Sequence, residues 1–185
     1  MIEHLISEIK SCLKNDLQIA ALTMALTLPD TCGKVYCPTG KNREHYVCWY
    51  NDHIIAPKKN LFGFDNADCF YASGEVVYKL RCAMLHESNP VVGGTAEKIK
   101  QFSLIWRSAS SASRTPIESY TQVDEEDKII SKTLSIDIVS LCQDICDAAL
   151  KYYLENKDKF SFDYRIVSTT DSVAKVFGFD NTMKV

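Results

Sequence analysis

The chain has 185 residues, 46% of them hydrophobic, and a formal net charge of -3. That is enough apolar material for one sizeable core, so a single domain is the simplest organisation. The acidic balance excludes broad, sequence-independent binding to nucleic acid, which draws on an excess of Lys and Arg, and leaves room only for a small local basic site.

The eight cysteines are scattered, with no secretory signal ahead of them, so free thiols in a reducing cytosol are expected. Residues 1–14 carry Glu3, Glu8, Lys10 and Lys14 inside their apolar pattern, which fits neither a signal segment nor a membrane span. A cytoplasmic location with no membrane partner follows. Structural zinc usually takes two closely spaced pairs of the CxxC kind. Cys32 and Cys37, in an expected loop, and Cys142 and Cys146, one helical turn apart, do not match that spacing. No metal is expected, and Cys142 and Cys146 read as small apolar core residues.

Ile2, Leu5, Ile6, Ile9, Leu13, Leu17, Ala20, Ala21 and Met24 recur at three- and four-residue steps and predict one long first helix. It should stop at Leu28-Pro29-Asp30, because a residue before proline is pushed out of the α region. A second helix is expected over residues 41–53, burying Tyr46, Trp49, Tyr50 and His53, with His45 exposed and His53 partly buried. A third begins near Asp65 as N-cap, with Asp68 in its first turn. Its apolar stripe is Cys69, Ala72, Val76, Val77, Leu80 and Met84, and Asn89-Pro90 closes it.

Residues 101–106 then carry a short strand signal. Residues 108–127, rich in Ser, Thr and acidic side chains, read as a long mobile loop that includes the solvated run Asp124-Glu125-Glu126-Asp127. A second strand over residues 128–134 could pair with the first and close a hairpin across that loop. Ser135 is the expected cap of a last long helix marked by Val139, Cys142, Ile145, Cys146, Ala149, Leu150 and Tyr153. Tyr152-Tyr153 reads as packing rather than a base-stacking platform. Residues 157–185 form a tail of weak periodicity.

The expected fold class is mainly α: a helical bundle with a small β-hairpin insertion before the last long helix, spanning residues 1–156. Ala25-Leu26-Thr27-Leu28-Pro29-Asp30, then Leu80-Arg81-Cys82-Ala83-Met84-Leu85-His86, then strand, loop and the helix after Ser135, resemble the HEPN superfamily. These are helical-bundle domains of bacterial toxin–antitoxin and abortive-infection systems, with Arg-x4-His as their signature. The resemblance implies a metal-independent endoribonuclease with Arg81 and His86 as the catalytic pair. It also implies a homodimer with a shared site, an RNA substrate, an antitoxin or other protein partner, and no cofactor.

The chemistry fits those residue types. A histidine titrates near neutrality and can assist attack of a ribose 2′-hydroxyl on the neighbouring phosphorus. An arginine can stabilise the charge that builds up on the phosphorane-like transition state. Residues five apart lie about 140° around and about 7.5 Å along a regular helix, so Arg81 and His86 diverge. They converge in a loosened last turn, or where two copies of the helix meet across a dimer.

Tyr78, Cys82 and His86 follow at four-residue steps, which makes Tyr78 and Cys82 the expected site neighbours. Family members commonly carry a polar residue, often asparagine, directly after the arginine. Cys82 is a weaker hydrogen-bonder at that position and favours an alternative: a non-catalytic HEPN-like module for dimerisation or for binding a partner or nucleotide. Without the resemblance, Arg81 would pair with a carboxylate such as Glu75 or one elsewhere in the bundle, and His86 would be a helix C-terminal residue favoured by the macrodipole.

Overall fold

A computed structural model describes residues 1–58, 72–85, 99–107, 117–123 and 129–162. The described part is mainly helical. Six α-helices span Ile2–Lys14 (α1), Gln18–Ala25 (α2), Leu28–Tyr36 (α3), Asn42–Tyr50 (α4), Gly74–Leu85 (α5) and Ile138–Glu155 (α6). Strands Ile99–Ile105 (β1), Ile117–Val123 (β2) and Ile129–Asp137 (β3) lie between α5 and α6. No helix among the described residues is long and apolar enough to cross a membrane.

The last helix, α6, organises the bundle by packing against α1, α2 and α3. Ile138, Leu141, Cys142, Ile145, Cys146, Ala149 and Tyr152 are buried along it. Cys142 and Cys146 are thus apolar core residues, and burial raises both thiols, Cys146 up to about 12. Across from them α1 buries Ile2, Ile6, Ile9 and Leu13. Each such aliphatic side chain contributes roughly 1.5–3 kcal/mol when fully removed from water.

The long first helix expected up to Leu28 is two helices, α1 and α2, and α3 begins at the expected stop. α1 stops at Lys14, and Asp16 takes φ 63°, a left-handed conformation in which an aspartate is tolerated. That break rotates the apolar phase. Ala21 stays in the core while Leu17 and Ile19 are exposed. Pro29 opens α3 rather than ending a helix, because a first-turn residue needs no backbone N–H and proline's φ suits the start. Cys32, expected in a loop, is therefore fully buried inside α3.

α3 and α4 approach closely at Gly33. A Cβ there would sit 2.4 Å from the His45 carbonyl oxygen, so only glycine fits the contact. His45, expected to be exposed, is buried at that contact, with its Nδ1 against the Cys37 carbonyl. Beyond α4 the chain winds as a π-helical turn over Asn51–Ile55. The turn aims Asn51 so that its Oδ1 accepts the Gly74 backbone N–H at 2.8 Å, fixing the start of α5. α5 then buries Val76, Val77 and Leu80. α5 starts at Gly74, with Ala72 and Ser73 outside the helix, so the expected helix does not run through Ala72; Asp65 itself and the Asn89-Pro90 stop lie outside the described residues.

The expected two-stranded hairpin is a three-stranded sheet of order β1-β3-β2. β1 runs parallel to β3, with Phe102 beside Leu134, and β2 runs antiparallel to it, with Ile117 beside Ile136. β2 arises within the segment expected to be a loop. Its Ile117, Tyr120, Thr121 and Val123 favour a pleated strand, a signal masked by the polar residues around it. The helix cap also moves. Ser135 is buried in β3, and Asp137 caps α6, its Oδ1 accepting the Ser140 N–H at 2.8 Å.

Candidate functional site

Arg81 lies in the last turns of α5 and Asp30 in the first turn of α3. The Arg81 Nε donates to Asp30 Oδ2 at 3.0 Å, with both side chains about one-fifth exposed (19% each). Burial alone would make the guanidinium easier to deprotonate. The Asp30 charge and its hydrogen bond outweigh that, with a further contribution from Cys82, and hold Arg81 above its ordinary range. The arginine is a fixed cation. Glu75, the carboxylate named first for a structural pairing, engages Arg43 instead, at 2.9 Å from its Nε and 2.7 Å from its Nη2.

Tyr78 and Cys82, one turn apart on α5, adjoin the pair. The Arg81 guanidinium carbon lies 5.9 Å from the centre of the Tyr78 ring, a cation–π approach. The half-buried Cys82 follows Arg81 directly and lies one turn after Tyr78 on α5. Burial pushes the Tyr78 phenol up, Cys82 adds to the shift, and Arg81 opposes it. Three of the four residues singled out from sequence thus share one neighbourhood. The fourth, His86, next in sequence after Leu85, lies outside the described residues.

Two residues were missed. Asp30 is the anchor of Arg81, although in sequence it stands out only as the end of the Leu28-Pro29-Asp30 segment. Its signal was its place in the first turn after Pro29, where an acidic side chain also suits the helix dipole. Tyr46 was expected only as core. Its ring stacks on Tyr50 and meets Tyr78 edge-on at 5.2 Å, and its hydroxyl is buried with no hydrogen-bond partner among the described residues. Burial pushes that phenol far up, Tyr50 and Asp30 add to the shift, and Arg81 acts against it.

At the other end of α3 lies an aromatic cluster. The His53 ring stacks on Trp49 at 5.3 Å and meets Tyr36 and Tyr152 at 4.8 Å each. Tyr152 therefore serves packing. His53 is half-buried, as expected, and its Nε2 is enclosed without a partner among the described residues. Burial lowers its pKa, with Asp52 and Glu155 opposing and Lys151 assisting. A histidine lowered in the folded state binds its proton more readily when unfolded. Stability from His53 is therefore complete above the ordinary value of about 6.5 and is lost as pH falls below it toward the lower folded value. Wild-type protein should lose more of its urea midpoint between about pH 7.5 and 5.5 than a His53→Phe variant does. Equal losses would show that His53 carries no such linkage.

Among the described residues, no group of three or more His, Cys, Asp or Glu side chains is placed to hold a metal ion. No family model matches the chain, and comparisons with curated proteins and with solved structures find no match.

Proposed function

We propose that this chain is a HEPN-like, metal-independent endoribonuclease of a defence or toxin–antitoxin system, using Arg81 and His86 in a site shared across a homodimer. The observation that carries this reading is the Arg81–Asp30 pair. It joins the Leu28-Pro29-Asp30 segment to the Leu80-Arg81 segment, the two stretches on which the resemblance rests. Asp30 holds the guanidinium as a preorganised cation, which is what the charge of a phosphorane-like transition state requires. His86, next in sequence after Leu85 and outside the described residues, would relay the proton of the attacking 2′-hydroxyl. The products would carry a 2′,3′-cyclic phosphate and a 5′-hydroxyl.

A second reading has its own support. Arg81 is satisfied inside its own chain by Asp30, and the residue after it is the weakly bonding Cys82. Those features suit a non-catalytic HEPN-like module that dimerises and binds a partner protein or a nucleotide-bearing ligand.

Expression of the wild type and of His86→Ala in bacteria separates the two. Growth arrest with cleaved RNA in the wild type alone supports the enzyme. Equal growth and intact RNA at confirmed soluble expression overturns it. A Cys82→Asn variant that gains cleavage would place the chain among silenced members, and a monomer by solution sizing would remove the shared site.

A further inference from the structure

Cys37 closes the C-terminal end of α3 and Cys48 lies on the facing side of α4. Both are half-buried free thiols, and their Sγ atoms are 2.8 Å apart. That separation lies between a disulfide bond of about 2.05 Å and ordinary contact of two sulfurs. The close approach follows from the fold. Gly33 lets the two helices meet backbone to backbone, and His45 Nδ1 engages the Cys37 carbonyl, pinning the end of α3 where its sulfur faces Cys48. The pair sits at the opposite end of α3 from Asp30, so it is independent of the Arg81 site.

We propose that Cys37 and Cys48 form an oxidisable dithiol that a hydroperoxide converts to an intramolecular disulfide. The Cys37 sulfur attacks the peroxide oxygen and breaks the O–O bond. With hydrogen peroxide as oxidant, this gives a sulfenic acid at Cys37 and one water. Cys48 then attacks that sulfur, forming the S–S bond, and the hydroxyl leaves with the Cys48 proton as a second water. Two thiols are oxidised and one peroxide is reduced.

Cys48 suits the resolving role. Its thiol is pushed up to about 12, first by the hydrogen bond it shares with Cys37, then by burial and by the neighbouring Cys37 and Asp52, which makes it a poor first nucleophile towards the peroxide and leaves that step to Cys37. Asp52 Oδ2 lies 3.8 Å from Cys48 Sγ and accepts the Tyr36 hydroxyl at 3.0 Å. The pair needs no large movement to close, and a thiol reductant reverses it.

Treatment of the full reduced chain with hydrogen peroxide, followed by alkylation and peptide mapping, tests this. A Cys37–Cys48 cross-linked peptide is expected, lost on reduction and formed ahead of modification at Cys12 or Cys82. Cys48→Ser should instead accumulate sulfenic acid at Cys37, trapped with dimedone. Cys37→Ser should form no cross-link at Cys48. Alkylation of Cys37 and Cys48 undiminished by peroxide, or preferential oxidation of other cysteines, overturns the assignment. The wild-type map decides this even if a variant folds poorly.

Discussion

Under the proposed ribonuclease function, Arg81→Ala is expected to reduce RNA cleavage at least about 100-fold, and in any case to cost about 2–3 kcal/mol of stability. The two effects have different origins. Loss of cleavage would come from the missing cation at the transition state. Loss of stability would come from Asp30, a carboxylate only one-fifth exposed that would keep its charge with its guanidinium gone. Asp30→Asn distinguishes them, because it keeps a hydrogen-bond acceptor for the Arg81 Nε while removing the charge. It should retain most of the stability and lose cleavage only so far as the guanidinium drifts. Purified protein, a labelled RNA and urea melts suffice. Arg81→Ala cleaving at the wild-type rate would end the catalytic assignment, and an unchanged urea midpoint would end the structural one.

Asp137→Ala should be the more damaging substitution for the fold, by about 3–5 kcal/mol. One carboxylate, 3% exposed, performs two tasks. Its Oδ1 caps α6, and its Oδ2 accepts the Arg107 Nε at 2.8 Å. The Arg107 backbone is in turn clasped by fully buried Gln18, which donates to its carbonyl and accepts its N–H at 3.3 Å. Helix α2, the end of β1 and the start of α6 are thereby tied together at one residue. Asp137→Asn keeps a cap acceptor and should cost less than half as much. If urea unfolding places Asp137→Ala within about 1 kcal/mol of the wild type, the carboxylate is not the tie described.

Apolar spacing made the helical class and much of the core legible. The stripes around Ile2, Ile6, Ile9 and Leu13, around Val76, Val77 and Leu80, and around Cys142, Ile145 and Cys146 are buried where their spacing puts them. Periodicity alone could not locate the break at Asp16, because Ala21 and Met24 continue the stripe after the chain has turned. It could not orient Pro29 either, since a proline suits the position after a helix as well as the first turn of the next. The parallel pairing of β1 with β3 was hidden because strand direction depends on what lies between, and β2 resembled loop. At the site, the residue types on α5 were readable, whereas the partner of Arg81, 51 positions away in sequence, became visible only in three dimensions.

The central place of β3 has a consequence for synthesis on the ribosome. β1 and β2 emerge first, yet neither is paired with the other, and both take their hydrogen bonds from β3. Until residues 129–137 have left the exit tunnel, two strand edges therefore wait unpaired, and the helix that fills the middle of the bundle, α6, follows directly behind. The N-terminal helices cannot complete their core before then. A nascent chain stalled before α6 should be the form most exposed to aggregation and most in need of a chaperone.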